Sequence, residues 1–249
     1  GSILVFLPGG AEIRRLAGAL AQAALGPAAQ IVPLYGDLAR EAQLQAIRPP
    51  PPGIRKIVLA TSIAETSLTI EGVRVVIDAG LMRQSEIDAG TGMQRLVTVP
   101  VSQASADQRR GRAGRLEPGV CYRLGDEARQ LRLPAHTPPE ILSADLAPLV
   151  LDLAQWGVTD PATLPWLDPP PAATLALARD LLVRLGALDA QHRLTPHGRA
   201  LAELPMHPRL AHMILQGQRW GLGGLAADLA ALLEERDLFA IGEGVRDLD

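Results

Sequence analysis

The chain has 249 residues, of which 47% are hydrophobic, and its formal net charge is −3, so it can bury the cores of two or three small domains but is not basic over its whole surface. Its one cysteine, Cys121, excludes an internal disulfide and a cysteine-rich zinc site, which suits a reducing cytoplasm. No apolar run is long enough to span a bilayer and no signal peptide is visible, so we predict a cytoplasmic protein without a membrane partner.

Short apolar runs alternate with helical patterns in the first half of the chain. The runs are bounded by glycine and proline, which is typical of buried strands. The predicted strands cover residues 3–7, 30–34, 55–60, 73–78 and 119–124, and the predicted helices cover residues 12–25 and 38–47. This alternation predicts an α/β fold with a parallel sheet sandwiched by helices.

Two further extended runs, residues 81–87 and 93–99, flank a glycine-containing turn at residues 88–92. Such a pair predicts a β-hairpin that protrudes from the α/β unit.

An arginine-rich stretch, SQASADQRRGRAGR, follows at residues 102–115. The Ser102 hydroxyl can cap a helix, and on that helix Gln108, Arg112 and Arg115 would sit at i, i+4 and i+7 and share one face. Two guanidinium groups can neutralise a transferring phosphoryl group while an amide orients the attacking water. The alternative is a solvated basic helix end.

The second half of the chain is helical and rich in alanine and leucine. It begins after a proline-rich linker at residues 134–139, and residues 187–189 and 193–195 can pair as a small wing. Predicted helices cover residues 141–156, 174–185, 198–204, 209–220 and 225–235. This pattern predicts a winged-helix domain and then a small α-helical domain.

Four histidines in this half invite a metal hypothesis. The spacings between His192, His197, His207 and His212 do not place pairs on one helical face, and no cysteine or pair of acids accompanies them. We therefore predict no metal site.

Several segments together resemble the DEAH-box helicases of superfamily 2. Residues 57–70 (IVLATSIAETSLTI) and 107–115 (DQRRGRAGR) are similar to motifs V and VI of that family, a highly specific pair. Residues 3–9 (ILVFLPG) look like motif IV, and residues 33–38 (PLYGDL) look like the segment after it. Within the family, runs such as PEILSADL and PWLDPPP are most like the bacterial HrpB-type helicases.

The resemblance covers essentially the whole chain and implies three domains. They would be a second RecA-like helicase domain at residues 1–132, a winged-helix domain at residues 133–204, and the start of a helical ratchet domain at residues 205–249. The protruding hairpin would correspond to the element that helps to separate strands.

The resemblance also implies a nucleotide site. By position, Arg112 and Arg115 would be arginine fingers, and Gln108 would hold the γ-phosphate or its attacking water. These three residues would be catalytic.

Further nucleotide contacts are implied at three other positions. Thr69 and Glu71 fall where the family touches the nucleotide near its ribose. Ile47 lies near the position where eukaryotic relatives stack a phenylalanine on the base, so this departure implies a weaker and less selective base pocket.

Single-stranded RNA, or possibly DNA, is the implied polymer partner. Thr61 and Ser62 fall where the family contacts the nucleic-acid backbone, and Gly36 and Asp37 would lie close to the same strand. Ser62 stands where many relatives have asparagine. The alternative is that the hydroxyl residues of this motif are ordinary turn and capping residues, namely Thr61, Ser62, Thr66, Ser67 and Thr69.

Motifs of the first half of a helicase motor are missing. The chain has neither a G-x-x-x-x-G-K-[ST] loop nor D-E-x-H, and its only lysine, Lys56, lies in a predicted strand. The resemblance therefore implies ATP with Mg²⁺ as the nucleotide, the Mg²⁺ ligands being expected in an N-terminal RecA-like domain that acts as partner. The alternative is a non-catalytic binding module with a degenerate motor domain.

Overall fold

The computed structural model describes residues 1–23, 25–66, 68–87, 94–115 and 117–234. The chain divides into two compact units, Gly1–Pro139 and Glu140–Asp249. The predicted hairpin turn at residues 88–92, Ser67 of the quoted motif and residues 235–249 of the predicted helical domain lie outside the described residues. The three predicted domain boundaries stay a prediction.

A parallel sheet forms the centre of the first unit, which confirms the predicted α/β class. In chain order the strands are β1 (Ser2–Phe6), β2 (Ala29–Leu34), β3 (Arg55–Ala60), β4 (Val73–Asp78), β5 (Leu81–Ile87), β6 (Gln94–Pro100) and β7 (Val120–Arg123). Five of them pair in parallel in the order β2-β3-β1-β4-β7. Strands β5 and β6 pair antiparallel, as the predicted hairpin requires.

The central strands of the sheet are buried on both faces because they are apolar at nearly every position. Successive side chains of a strand point to opposite faces, so Val5 and Ile57 pack on one side while Leu4, Phe6 and Val58 pack on the other. We call these the Val5 face and the Phe6 face.

Four helices accompany this sheet: α1 (Gly10–Gln22), α2 (Arg40–Ile47), α3 (Gln103–Gly111) and α4 (Glu127–Leu131). Helix α1 covers the Val5 face through Ile13, and α2 covers the Phe6 face through Ala46. The sequence analysis did not predict α4. Its signal is Asp126, whose carboxylate accepts a hydrogen bond from the Arg129 amide at 2.5 Å and so caps the helix.

Lys56 is buried in β3 and closes the end of α2. Its ammonium group donates to the carbonyl oxygens of Ala46 at 2.6 Å and Arg48 at 2.5 Å, two of the acceptors that a helix C-terminus leaves open. Burial lowers the pKa of Lys56. The lone lysine of the chain is therefore a helix-capping residue and holds the segment around Ile47 against β3.

The second unit is helical, with a core made of apolar side chains. Its helices are α5 (Ala147–Gln155), α6 (Ala172–Arg184), α7 (Pro196–Ala202), α8 (Pro208–Arg219) and α9 (Gly223–Glu234). Leu188 and Leu194 form an antiparallel bridge, as the predicted wing requires. Within the described ranges, no helix has the length and apolar character needed to cross a bilayer.

The helix predicted over residues 141–156 is wrong at its start. A single turn of 3₁₀-helix covers Glu140–Leu142, and α5 begins only at Ala147, whose amide donates to the Asp145 carboxylate at 2.8 Å. Pro148 explains the break, because a proline is tolerated in the first turn of a helix but would clash with the preceding turn of a longer one.

Candidate functional site

Helix α3 begins with its first amides satisfied. The Ser102 hydroxyl accepts a hydrogen bond from the Ser105 amide at 3.1 Å, which confirms the predicted cap. The amides of the first two helical residues donate to the carbonyl oxygens of Pro134 at 2.8 Å and Ala135 at 3.0 Å. The proline-rich linker thus fixes the start of the arginine-rich helix.

The far end of α3 differs from the prediction. The helix ends at Gly111, Arg112 is its C-terminal cap, and Arg115 lies beyond it in the following turn. The predicted helical face shared by Gln108, Arg112 and Arg115 is therefore wrong, because Gly111 and Gly114 do not continue a helix well. The turn instead directs both arginines into one cavity.

This cavity, of about 440 Å³, lies at the amino-terminal ends of β1 and β4. Four of the residues that the sequence analysis named for catalysis or nucleotide binding line it: Thr69, Glu71, Arg112 and Arg115. Residues separated by more than forty positions in the chain are thus brought together around one space. We call it the arginine cavity.

Arg112 is held rigidly at the wall of the arginine cavity. It is only 6% exposed, and its two terminal nitrogens donate to the carbonyl oxygens of Leu68, at 2.8 Å, and Glu65. Burial, together with the positive charge of Arg115, lowers the pKa of Arg112. A guanidinium group remains charged in proteins, so Arg112 presents a fixed positive charge to the cavity.

Arg115 is the more accessible of the two arginines. It is exposed and donates to the Thr69 hydroxyl at 3.1 Å, a neutral acceptor that a more strongly charged group can replace. Arg74 and Glu117, which also line the cavity, form an ion pair with each other. The Glu117 carboxylate is thus engaged by Arg74.

Gly119 allows the segment before β7 to pass close to the turn after α3. A Cβ atom at this position would lie 2.2 Å from the Ala113 carbonyl oxygen and 2.7 Å from that of Arg74. Only glycine permits this approach of three backbone segments. Gly119 therefore helps to shape the wall that carries Arg112.

Two predicted nucleotide residues do not line the arginine cavity. Gln108 is exposed on α3, and Ile47 is the last residue of α2. The residues just after Ile47 do reach the region, because Pro49 and Pro50 line an adjacent cavity of about 420 Å³ whose wall also includes Glu71. The base-stacking role of Ile47 and the water-orienting role of Gln108 stay predictions.

The residues predicted to bind nucleic acid lie at the opposite edge of the sheet. Gly36 and Asp37 follow the carboxyl end of β2, and Thr61 and Ser62 follow that of the neighbouring strand β3. The Thr61 amide donates to the Leu34 carbonyl oxygen at 3.2 Å, so the two loops are joined. Gly36, Asp37 and Ser62 are exposed, whereas Thr61 is half-buried.

Arg109 is the residue that sequence reasoning missed. It is 0% exposed, its guanidinium lies 4.9 Å from the centre of the Phe6 ring, and it donates to Glu65 and Asp78 at 2.7 Å each. The sequence does contain a signal for its burial. On α3, Arg109 shares one helical face with Ala106 and Ser105, and small side chains on one face predict that this face packs against the protein.

No metal site is present among the described residues, where no group of three or more His, Cys, Asp or Glu side chains could hold an ion. The arginine cavity, lined by Arg112 and Arg115, can accept an anionic phosphate, but the described residues offer no carboxylate cluster for Mg²⁺. The structure also brings His197 and His212 together, with Nε2 and Nδ1 2.9 Å apart. They lie on different helices, α7 and α8, so spacing along one helix could not find them.

Comparison with protein families gives two matches. A model of the helicase conserved C-terminal domain matches residues 1–117, which contain the sheet and the arginine cavity. A model of the winged-helix part of the helicase-associated domain HA2 matches residues 178–206, which contain the wing and α7.

Curated relatives and solved structures agree with these matches. The chain is 48% identical to the ATP-dependent RNA helicase HrpB of Escherichia coli strain K12 over 94% of this chain and 29% of the relative. It is 41% identical to the pre-mRNA-splicing factor ATP-dependent RNA helicase prp22 of Schizosaccharomyces pombe over 96% of this chain and 21% of the relative. Two crystal structures of E. coli HrpB, both 47% identical, superpose on 96% of this chain with TM-scores of 0.83 and 0.88. They are matched over 29% and 30% of their own length, so the chain spans less than a third of these relatives.

Proposed function

Because this chain belongs to the DEAH-box RNA helicase family, we propose that it forms the second half of an ATP-driven motor that moves along single-stranded RNA. The observation that carries the proposal is the arginine cavity, where Arg112, Arg115, Thr69 and Glu71 converge. A positively charged, preorganised wall is what a transferring phosphoryl group needs.

The two arginines would divide the work at the phosphates. Arg115, which donates to the neutral Thr69 hydroxyl, would turn to the phosphate oxygens and stabilise the charge that develops there. Arg112, anchored by two carbonyl oxygens, would supply a fixed positive charge that needs little reorganisation. Thr69 and Glu71 would contact the sugar, and Gln108 would orient the attacking water once a partner domain closes on the cavity.

The N-terminal RecA-like domain of the same protein is the proposed partner across the cavity. It would supply the phosphate-binding loop and the Mg²⁺ ligands, because this sequence has no G-x-x-x-x-G-K-[ST] motif and its described residues hold no acidic cluster. The bound metal would neutralise phosphate charge. We further propose a cytoplasmic location, supported by a sequence with a single cysteine.

RNA would be held by the loops at the carboxyl edge of the sheet. The exposed Gly36, Asp37 and Ser62 and the half-buried Thr61 offer amide and hydroxyl groups to a sugar–phosphate backbone. Such contacts carry no base specificity, which allows a motor to step along any sequence. Single-stranded DNA is the alternative polymer, and tighter binding of labelled single-stranded DNA than of RNA in an anisotropy assay would favour it.

The decisive test compares Arg115→Ala with Arg110→Ala in the complete helicase. Arg110 is also exposed, but it pairs with Asp107 and does not line the arginine cavity. We expect Arg115→Ala to lower kcat for ATP by about a thousandfold, the low end for an arginine finger, with an unchanged Kd for RNA. ATP turnover and fluorescence anisotropy with labelled RNA measure the two quantities.

Two results would contradict the proposal. Equal turnover in the wild-type protein and Arg115→Ala, with Arg110→Ala also unchanged, would remove the arginine-finger role. A wild-type protein that binds RNA but does not turn over ATP would instead establish a non-catalytic binding module.

A further inference from the structure

The nucleotide and nucleic-acid ends of the first unit lie at opposite edges of the sheet, and two segments connect them. Residues 61–72 run from the carboxyl end of β3 to the amino end of β4, and so from Thr61 to Glu71. Helix α3 and its following turn run alongside, from Ser102 to Arg115. Besides the strands of the sheet, these two segments run between the two ends.

Glu65 is the point where the two segments are joined. Its side chain accepts hydrogen bonds from the Ser105 hydroxyl at 2.8 Å and from Nε of Arg109 at 2.7 Å. Its backbone carbonyl accepts from Arg112, which lines the arginine cavity. One residue, three positions after Ser62, therefore contacts three successive turns of the arginine-rich stretch.

Arg109 extends this junction to the base of the hairpin. One terminal nitrogen of its guanidinium donates both to the Asp78 carboxylate, at 2.7 Å, and to the carbonyl oxygen of Leu81, at 3.2 Å. Leu81 is the first residue of β5. The fixed fork of a guanidinium can thus reach Glu65, Asp78 and the hairpin together, which a single ammonium group cannot do.

We propose that Glu65 and Arg109 are positioning residues that couple nucleotide turnover to RNA and to the β5–β6 hairpin. The proposal rests on the proposed function. Movement of Thr61 and Ser62 with the RNA strand would be passed through Glu65 to Arg112, and through Arg109 to the start of β5. Neither side chain lines the arginine cavity, so both act through other residues.

Burial makes this junction suited to transmission. The Arg109 side chain is 0% exposed, Asp78 is 1% exposed and Glu65 is 12% exposed, so water does not screen their charges effectively. A buried guanidinium that loses one carboxylate has no solvent to replace it. Glu65 and Arg109 must therefore move together, rather than exchange partners independently.

The test uses Glu65→Gln and Arg109→Lys in the complete helicase, with Arg110→Lys as the matched control. Glu65→Gln keeps the shape and removes the charge, whereas Arg110 pairs with Asp107 on the solvent side of the same helix. Basal ATP turnover, turnover at saturating single-stranded RNA and base pairs unwound per ATP are measured for each variant. Ser105→Ala, which removes one hydrogen bond to Glu65, is a milder variant if Arg109→Lys does not fold.

We expect Glu65→Gln and Arg109→Lys to lower the ratio of RNA-stimulated to basal turnover by about tenfold, within the roughly 5- to 150-fold range of couplings between sites. Unwinding per ATP should fall as well, Ser105→Ala should shift both quantities less in the same direction, and Arg110→Lys should change neither. A purely structural role would lower basal and stimulated turnover together and leave their ratio unchanged, which would overturn the proposal.

Failure of this inference is distinguishable from failure of the proposed function. If Arg115→Ala abolishes turnover while Glu65→Gln, Arg109→Lys and Ser105→Ala keep the wild-type ratio, only the coupling role is wrong. If the wild-type helicase has no ATP turnover at all, the motor assignment itself fails and the coupling role with it.

Discussion

The two units of the chain bury different kinds of side chain. All of the polar or charged side chains that are buried among the described residues belong to the first unit: Ser2, Lys56, Asp78, Ser102, Ser105, Arg109 and Arg112. The core of the second unit in the same described part is a cluster of leucine, valine and alanine side chains. Charge is thus buried in the unit that carries the arginine cavity.

The two units therefore differ in the interactions that hold them together. In the first unit, interactions between buried charged groups also position the residues of the candidate site. Burying an ion costs several kcal/mol unless partners and hydrogen bonds offset the loss of water. In the first unit each buried ion has such partners, and those around Arg109 and Arg112 are the groups that shape the candidate site. The second unit gains its stability from apolar burial, which suits a scaffold.

The largest expected effect comes from removing Arg109, one of the buried cations of the first unit. Arg109→Met leaves Asp78 and Glu65 without their partner, so the free energy of unfolding of that unit should fall by about 3–5 kcal/mol. Urea unfolding followed by circular dichroism measures the loss. Tryptophan fluorescence separates the two units, because Trp156, Trp166 and Trp220 all lie in the second one.

Arg110→Met is the matched control for that prediction. Its side chain is 62% exposed and pairs with a surface carboxylate, that of Asp107, so less than about 1 kcal/mol should be lost. Similar losses of unfolding free energy for Arg109→Met and Arg110→Met would mean that the buried charge of Arg109 does not stabilise the first unit. The contrast drawn between the two units would then be wrong.

A core leucine of the second unit gives the next largest effect. Leu182 on α6 is 0% exposed, and Leu182→Ala should cost about 3 kcal/mol through lost burial and the cavity left behind. Leu177 on the same helix is 67% exposed, so Leu177→Ala should cost less than about 0.5 kcal/mol. Tryptophan fluorescence during urea unfolding reports both variants, and a comparable loss in each would refute an apolar core around α6.

The strands and the hairpin were predictable because their signals are local. Runs such as residues 55–60 are apolar at almost every position, which is what a strand buried on both faces requires. The ends of helices were less predictable. The start of α5 is set by Pro148. The end of α3 depends on Gly111 and Gly114, and glycine weakens a helix without always ending it, so the last helical residue could not be predicted.

The candidate site was predictable as a set of residues but not as an arrangement. Similarity of motifs V and VI named Thr69, Arg112 and Arg115, which the structure brings to one cavity. It did not distinguish Arg109 from its neighbours, because a run of arginines reads as a solvated surface until the sheet beneath it is known. Contacts such as that between His197 and His212 depend on how helices pack, which spacing along the chain does not encode.

That histidine pair provides the smallest expected effect, a pH dependence confined to the second unit. Burial lowers the pKa of His197 below its ordinary value of 6.5, and the positive charges of His212 and Arg219 lower it further. The unfolded chain therefore binds this proton more readily than the folded one. Stability is fully present well above pH 6.5 and is lost as the pH falls through the lowered pKa of the folded state.

Replacing the histidine should flatten this dependence. We expect the free energy of unfolding of the second unit to decline less between about pH 7 and pH 5 in His197→Gln than in the wild-type chain. Asp145 does not interfere in that window: although burial opposes it, hydrogen bonds from His207 and the Ala147 amide keep the pKa of Asp145 below its ordinary value of 3.8. The control His192→Asn keeps the positive φ that the wing turn requires and should retain the wild-type slope. An equal slope in His197→Gln and the wild type would show that the ionisation of His197 does not contribute to the stability of the second unit.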